Sequence, residues 1–123
     1  MGSYLRKMFG SQLVNFGFAF NQGSFRAYDQ VSQVRPFTVD PAPEGTLDRT
    51  LAAVGIPVFA VDLRQLPKQG PIAQWFSQTP KSRNVGAAYS DKLAPYLWTT
   101  DPANAQFDVL LFVYRTTASH PNP

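Results

Sequence analysis

The chain has 123 residues, of which 44% are hydrophobic and 15% charged, and its net charge is +3. This length and balance suit a single globular domain and exclude an intrinsically disordered chain. The eleven Lys and Arg residues are scattered along the sequence, which argues against the dense basic footprint of a nucleic-acid-binding protein.

The sequence contains no cysteine, which excludes disulfides, thiolate metal sites and a cysteine nucleophile. A chain without cysteine fits a cytoplasmic location, and we predict that location. No stretch approaches the ~20 apolar residues of a membrane span, so we expect no membrane partner. Polar residues such as Asn15 interrupt the stretch after Arg6 and Lys7, so no signal peptide is predicted.

The first segments predict a short helix followed by a buried strand. Residues 3–9 carry apolar side chains on one helical face, and Gly10 is a plausible stop. Residues 13–20 (LVNFGFAF) are almost wholly apolar and rich in β-formers, which is typical of a buried strand. Residues 21–23 predict a turn, and residues 24–28 are therefore expected to return as a hairpin partner.

An edge strand and a helix–strand unit follow. Residues 34–39 are extended but contain Pro36, whose missing N–H places the strand at a sheet edge. Thr46 is a natural helix N-cap, and Gly55 is expected to end that helix. Residues 56–63 (IPVFAVDL) are the clearest core strand, and the order of helix, glycine and apolar strand is typical of a parallel α/β sheet.

The second half of the chain predicts shorter elements. Pro71 is placed to start a short helix, and residues 84–89 predict a short strand. Residues 101–106 predict a polar turn before a strong buried strand at residues 107–114. Residues 116–123 are expected to form a flexible tail.

These elements together predict an α/β fold in one domain covering residues 1–123. The expected architecture is a mixed β-sheet of about four to six strands packed with short helices.

No catalytic residue, metal site or cofactor is predicted. The single histidine, His120, lies in a Pro-rich terminal stretch, whereas a general base must be held in place by neighbouring groups. No Gly-x-Ser-x-Gly elbow presents a serine nucleophile, and no phosphate loop or dinucleotide fingerprint occurs. The eight acidic residues are scattered rather than clustered as metal ligands.

Four polar residues are the candidates for ligand binding: Asn21, Ser24, Arg26 and Asp62. Asp62 lies near the carboxyl end of a strand predicted to be parallel, where α/β proteins place functional groups. An ion pair with Arg64 explains Asp62 equally simply, and a tight turn explains Asn21 and Ser24. We favour these structural interpretations. Asp108, at the opposite end of its strand, is expected to be structural.

A set of motifs, in order along nearly the whole chain, resembles the C-terminal part of the erythromycin esterase family. They are Met1-Gly2-Ser3-Tyr4-Leu5 with Phe9-Gly10, Phe16 to Phe20 (FGFAF), Gly23 to Ala27 (GSFRA), Asp62-Leu63-Arg64, Arg83 with Val85-Gly86, Phe107-Asp108, and Arg115-Thr116-Thr117. Each motif is weak alone, and their order makes the set specific.

The resemblance implies a longer α/β enzyme that hydrolyses the lactone ester of macrolide antibiotics. Members are proposed to use a histidine as general base, assisted by glutamates and further histidines, in segments that precede the motifs found here. None of these groups matches a position in this sequence. We therefore expect that this chain alone is not an enzyme.

Two other functions stay open. The chain could act as a module that binds a small, macrolide-like molecule without turnover. Alternatively, it could be an assembly protein that forms a homodimer through an exposed sheet edge, because unpaired backbone groups on an edge can pair with another chain.

Overall fold

The order of strands and helices reflects an alternation of apolar β-formers with capped amphipathic segments. The structure, a computed structural model, describes residues 2–120. Its elements are α1 (Gly2–Phe9), β1 (Phe16–Tyr28), β2 (Val34–Val39), α2 (Leu47–Ala52), β3 (Val58–Asp62), α3 (Pro71–Ser77), α4 (Ala103–Gln106) and β4 (Val109–Thr116), with single 3₁₀ turns at Gly10–Gln12, Leu63–Gln65 and Ala94–Tyr96.

The four strands form one mixed sheet in the order β2-β1-β4-β3. The central strands β1 and β4 are parallel, and each edge strand is antiparallel to its neighbour. A sheet of four strands with short helices confirms the predicted fold class.

The predicted turn at residues 21–23 is wrong, because β1 runs unbroken through it for 13 residues. Residues 24–28 are consequently the second half of the same strand rather than a hairpin partner. Gly23 explains the difference, since its φ of +121° is a conformation that favours glycine. A Cβ at Gly23 would collide with the backbone of Thr116, so glycine lets the two central strands approach closely. The first half of β1 pairs with β4, and the second half pairs with β2.

Strand β2 lies at an edge, as Pro36 predicts. The turn that leads into it is held by Asp29, whose Oδ1 accepts hydrogen bonds from the amides of Val31 and Gln33 at 2.9 and 2.8 Å. Its Oδ2 pairs with Arg35 at 2.6 Å. The β1–β2 turn is therefore fixed by a side chain that replaces missing backbone partners.

The predicted parallel core strand at residues 56–63 is corrected in position and direction. Strand β3 is an edge strand and pairs antiparallel with β4. Helix α2 begins at the predicted cap, where Thr46 Oγ1 accepts a hydrogen bond from the Arg49 amide at 3.2 Å. Strands β2 and β3 run in the same direction, and α2 lies on the connection between them, which joins the two edges of the sheet. The two central strands lie between them and run the other way.

One face of the sheet carries the main core. Ala19, Leu110 and Phe112 pack there against Leu47 and Ala52 of α2, with further buried side chains from the following segments. Trp75 and Phe76 of α3, which starts at Pro71 as predicted, also pack against this cluster. A second cluster surrounds the β1–β2 pair. It contains Ala27, Val39 and Tyr89, packed by Phe25 and Phe37.

The opposite face of β1, β4 and β3 is only partly covered within residues 2–120, where Val109 is buried and Phe20 packs against Arg83. Side chains on a strand alternate between faces, and the register aligns Phe18 with Leu111 and Leu111 with Ala60. Phe18 and Val58 are 75% and 67% exposed. The exposed apolar side chains on this face are Phe16, Phe18, Val58 and Ala60.

The remaining segments differ from prediction in detail. Residues 84–89 contribute only an isolated bridge between Tyr28 and Ala88 rather than a strand. The predicted polar turn at residues 101–106 contains the one-turn helix α4. Of the predicted tail, Thr116 ends β4, residues 117–120 lack regular structure, and residues 121–123 lie outside the described residues.

Helix α1 begins one residue earlier than predicted and ends at Phe9, before the left-handed Gly10. Within residues 2–120, the helices are all too short to traverse a lipid bilayer.

Candidate functional site

Asn21 is fully buried in the middle of β1. Its side-chain Oδ1 and its backbone oxygen both accept the amide of Ala42, at 3.1 and 3.0 Å. Its Nδ2 has no hydrogen-bond partner among the described residues. The side chain thus fastens the loop after β2 to the sheet, and ligand binding by Asn21 stays a prediction.

Ser24 and Arg26 follow on the same strand, and both hold the segment after β4. Ser24 Oγ accepts the amide of Ala118 at 2.9 Å, and Arg26 Nε donates to the carbonyl of Ser119 at 2.7 Å. His120 comes next in the chain and is exposed. The structure therefore places two predicted ligand-binding residues beside the stretch that carries the only histidine.

Asp62 lies apart from the other three candidates. It is aligned with Val109, whereas Gly23, the neighbour of Ser24, is aligned with Thr116. Seven residue steps along β4 separate these positions, which corresponds to about 23 Å at about 3.3 Å per residue. The four predicted residues therefore do not form one site.

Asp62 and Arg64 form the ion pair that the spacing suggests. Arg64 Nε and Nη2 donate to Oδ1 and Oδ2 of Asp62 at 2.8 and 2.7 Å. The Arg64 amide also donates to Oδ1, at 3.0 Å. The hydrogen bonds from the guanidinium hold the pKa of Asp62 below its usual value. This carboxylate is ionised, half-exposed and already engaged at both oxygens.

Asp108 has the structural role that its position predicts. Its Oδ2 accepts the amide of Asn15 and pairs with Arg6 Nη2, each at 2.7 Å. The bond from the Asn15 amide, followed by that from Arg6, lowers the pKa of Asp108. The contact ties the segment before β1 to the start of β4.

The most organised polar group, which the sequence analysis missed, centres on Asp48 and Arg83. Asp48 is fully buried, and its two oxygens accept the Ser82 hydroxyl at 3.0 Å and the Arg83 amide at 2.8 Å. Burial raises the pKa of Asp48, against the effect of these two bonds. The helix pattern contained a signal, because Asp48 lies on the same face as Leu51 and the buried Ala52, three and four residues on.

The guanidinium of Arg83 lies between two aromatic rings. Its Cζ is 5.7 Å from the centroid of Phe20 and 5.1 Å from that of Trp98, within cation–π range. Nη2 donates to the carbonyl of Asp40 at 3.0 Å, and the buried Nε has no partner among the described residues. Burial lowers the pKa of Arg83, yet an arginine stays charged at any physiological pH.

Arg83 and Trp98 line a surface cleft of about 390 Å³ next to β2. Buried Tyr89 forms part of its wall, and burial raises the pKa of this phenol, which therefore stays a neutral hydrogen-bonding group. Asp40 and Asp91 also line the cleft. These groups can bind a polar molecule against an aromatic surface. Among the described residues, the cleft lining includes no histidine that could serve as a general base.

The described residues do not form a metal-binding cluster. Residues 2–120 contain no group of three or more His, Asp or Glu side chains placed to hold an ion.

Comparison with known proteins gives the chain a family and a fold. The profile described as "Erythromycin esterase" matches residues 1–116. Comparison with curated proteins finds no match.

Two solved structures share the fold. A Bacillus cereus protein is 15% identical, with a TM-score of 0.80 over 94% of this chain and 28% of its own. A succinoglycan biosynthesis protein is 20% identical, with a TM-score of 0.74 over 94% of this chain and 27% of its own. The chain thus spans little more than a quarter of either protein. The family match over nearly its whole length shows that this chain belongs to the erythromycin esterase family.

Proposed function

We propose that this chain is an erythromycin esterase-type domain that does not hydrolyse esters by itself. The supporting observation is that Asp62 and Asp108, both in segments that resemble family motifs, are committed to ion pairs with Arg64 and Arg6. A carboxylate whose pKa is lowered by an ion pair and by hydrogen bonds, as both of these are, is a weak general base. Hydrolysis would then require a histidine and electrostatic groups supplied by another part of a family member.

The exposed position of His120 supports the same proposal. Its neighbour Ser119 is held only through a backbone carbonyl. Among the described residues, no carboxylate forms an ion pair or hydrogen bond that would orient the exposed imidazole. Catalytic histidines act when a second group fixes their tautomer and direction. We also propose a cytoplasmic location, which the lack of cysteine in the sequence supports.

The direct test is to incubate the purified chain with erythromycin and to follow lactone opening by mass spectrometry, with heat-denatured chain as the control. We expect the same rate of opening in both samples. Faster opening by the folded chain would contradict the proposal. The variants Asp62→Asn and His120→Asn would then show which group carries the activity.

A second candidate function is binding of a small, macrolide-like molecule without turnover, and the cleft beside Arg83 favours it. Arg83, Tyr89 and Trp98 line this cleft of about 390 Å³, together with Asp40 and Asp91. Binding of erythromycin in this cleft should change the fluorescence of Trp98 in a saturable way. The Trp98→Phe variant should lose that change, while Trp75→Phe, outside the cleft, should retain it. A linear response, or one that persists in Trp98→Phe, would exclude this cleft as the binding site.

A further inference from the structure

We propose that the cleft beside Arg83 binds a small protonated amine that also carries hydroxyl groups, as an amino sugar does. The proposal rests on the second candidate function in taking this cleft as the binding site, and it adds the chemical class of the bound group. The volume of about 390 Å³ lies near the lower end of the range for ligand pockets, about 300–1,000 Å³. The cleft therefore suits one sugar-sized group better than a whole macrolide ring.

The ionisable side chains that line the cleft favour a cation. Within residues 2–120, Arg83 is the one basic residue of the lining, whereas Asp40 and Asp91 contribute two exposed carboxylates. Neither carboxylate forms an ion pair with another described residue. The cleft is thus locally negative although the whole chain has a net charge of +3. A ligand that carries an ammonium group complements this charge, and an anionic ligand does not.

Tyr89 supplies a hydrogen-bonding group that the fold itself does not use. Its ring is held by Phe25 and Phe37, each at 5.1 Å between centroids, and only 6% of the residue is exposed. Its hydroxyl makes no hydrogen bond to another described residue, yet it is not one of the fully buried polar atoms that lack a partner. The hydroxyl therefore reaches the surface where Tyr89 lines the cleft. A phenol both donates and accepts, so it can pair with a ligand hydroxyl.

An apolar wall lies beside these polar groups. Trp98 and three prolines, Pro41, Pro43 and Pro95, line the same cleft. The Arg83 guanidinium lies 5.1 Å from the Trp98 ring, and proline fixes its own backbone φ, so the wall is preorganised. The C–H face of a sugar ring is apolar and can pack against this wall while its polar groups face the carboxylates and the phenol. Small-molecule sites commonly combine an apolar wall with a few polar groups in this way.

Fluorescence titration of the Trp75→Phe variant, in which Trp98 is the only tryptophan, tests the proposal. The probes are D-glucosamine, which is cationic at mildly acidic pH, and the neutral N-acetyl-D-glucosamine, at equal ionic strength. D-glucosamine should give a saturable change, and the N-acetyl compound should bind about tenfold more weakly, because hydrogen bonds to charged groups are the stronger ones. Adding Asp91→Asn should weaken D-glucosamine binding about threefold or more. Adding Asp101→Asn, an exposed position outside the cleft, should leave the binding unchanged.

Equal binding of the two probes, or no saturable response to D-glucosamine, would overturn this inference. Unchanged D-glucosamine binding by Asp91→Asn, with folding checked by far-UV circular dichroism, would also overturn it. Erythromycin, titrated into the same Trp75→Phe variant, separates the inference from the function on which it rests. Erythromycin binding without preference for the cationic probe contradicts the inference alone. Charge-selective D-glucosamine binding without erythromycin binding supports the inference and contradicts only the macrolide-like ligand.

Discussion

At the scale of single residues, three aspartates stabilise loops and are not free to act on a ligand. Asp29 closes the β1–β2 turn, Asp108 fixes the entry to β1, and Asp48 anchors the segment before Arg83. Each carboxylate accepts backbone amides that would otherwise be unpaired, a common solution for irregular segments. A carboxylate whose pKa changes on folding makes the stability of the chain depend on pH.

Asp108 gives a pH-dependent prediction for stability. Its pKa is lower in the folded chain than the usual 3.8. The ionised form is thus favoured by folding, and its contribution is complete above pH 3.8 and is lost as the pH falls through the folded-state pKa. Asp108→Asn should lower the free energy of unfolding at neutral pH, and the gap from wild type should shrink in acid.

Urea unfolding of both proteins at several pH values measures this gap. Asp101→Asn is the control, since Asp101 is exposed and its carboxylate makes no ion pair among the described residues. A gap for Asp108→Asn that stays constant into acid would show that the ion pair and amide contact do not stabilise the fold.

At the scale of elements, the length of β1 is the feature that most affects the topology. Because the strand continues through Gly23, it pairs with β4 over its first half and with β2 over its second. One strand thus joins the two clusters of the core. Several polar contacts also depend on β1. Asn21 and Arg26 lie on this strand, and the ring of Phe20 packs against the guanidinium of Arg83.

Gly23→Ala should therefore destabilise the chain strongly. The added Cβ would meet the backbone of Thr116, and the φ of +121° is strained for any residue with a side chain. Backbone strain of this kind costs about 1–3 kcal/mol, and the collision adds to it, so we expect a loss of at least about 3 kcal/mol. Urea unfolding measures this loss.

Gly86→Ala is the matched control for that experiment. A Cβ at Gly86 meets nothing within 4 Å, and its φ lies outside the left-handed region. Substitution there should change the free energy of unfolding by less than about 1 kcal/mol. Equal effects of the two substitutions would mean that close approach of β1 and β4 at Gly23 is unimportant.

At the scale of the whole molecule, the two apolar clusters should unfold together because they share β1. Each cluster has a tryptophan beside it: Trp75 packs on the main core, and Trp98 contacts Arg83 near the second cluster. In Trp98→Phe the fluorescence reports on the main core, and in Trp75→Phe it reports on the second. Within each variant, fluorescence and far-UV circular dichroism should give the same urea midpoint.

Separate midpoints within either variant would show that the clusters are independent units. The comparison is made inside each variant because the substitutions themselves change stability. A single transition would support one cooperative domain over the described residues.

Much of the fold could be predicted from the sequence because the signals were local. Apolar β-formers predicted the strands, Pro36 the edge, Thr46 the N-cap of α2 and Pro71 the start of α3. These features depend on the chemistry of a few neighbouring residues, so a single sequence specifies them. The ordered motifs also identified the family, which the profile match confirms.

Only the tertiary structure decided how these elements are paired and which polar groups meet. The sequence Asn21-Gln22-Gly23 is compatible with both a turn and a bent strand, and contact with Thr116 selects the strand. The direction of β3 depends on its pairing with β4, more than 40 residues later in the chain. The group of Asp48, Arg83 and Trp98 is likewise assembled from distant segments. Composition and motifs determined the class and family of this protein, whereas long-range packing determined its topology and its cleft, because no local pattern encodes the partner of a strand.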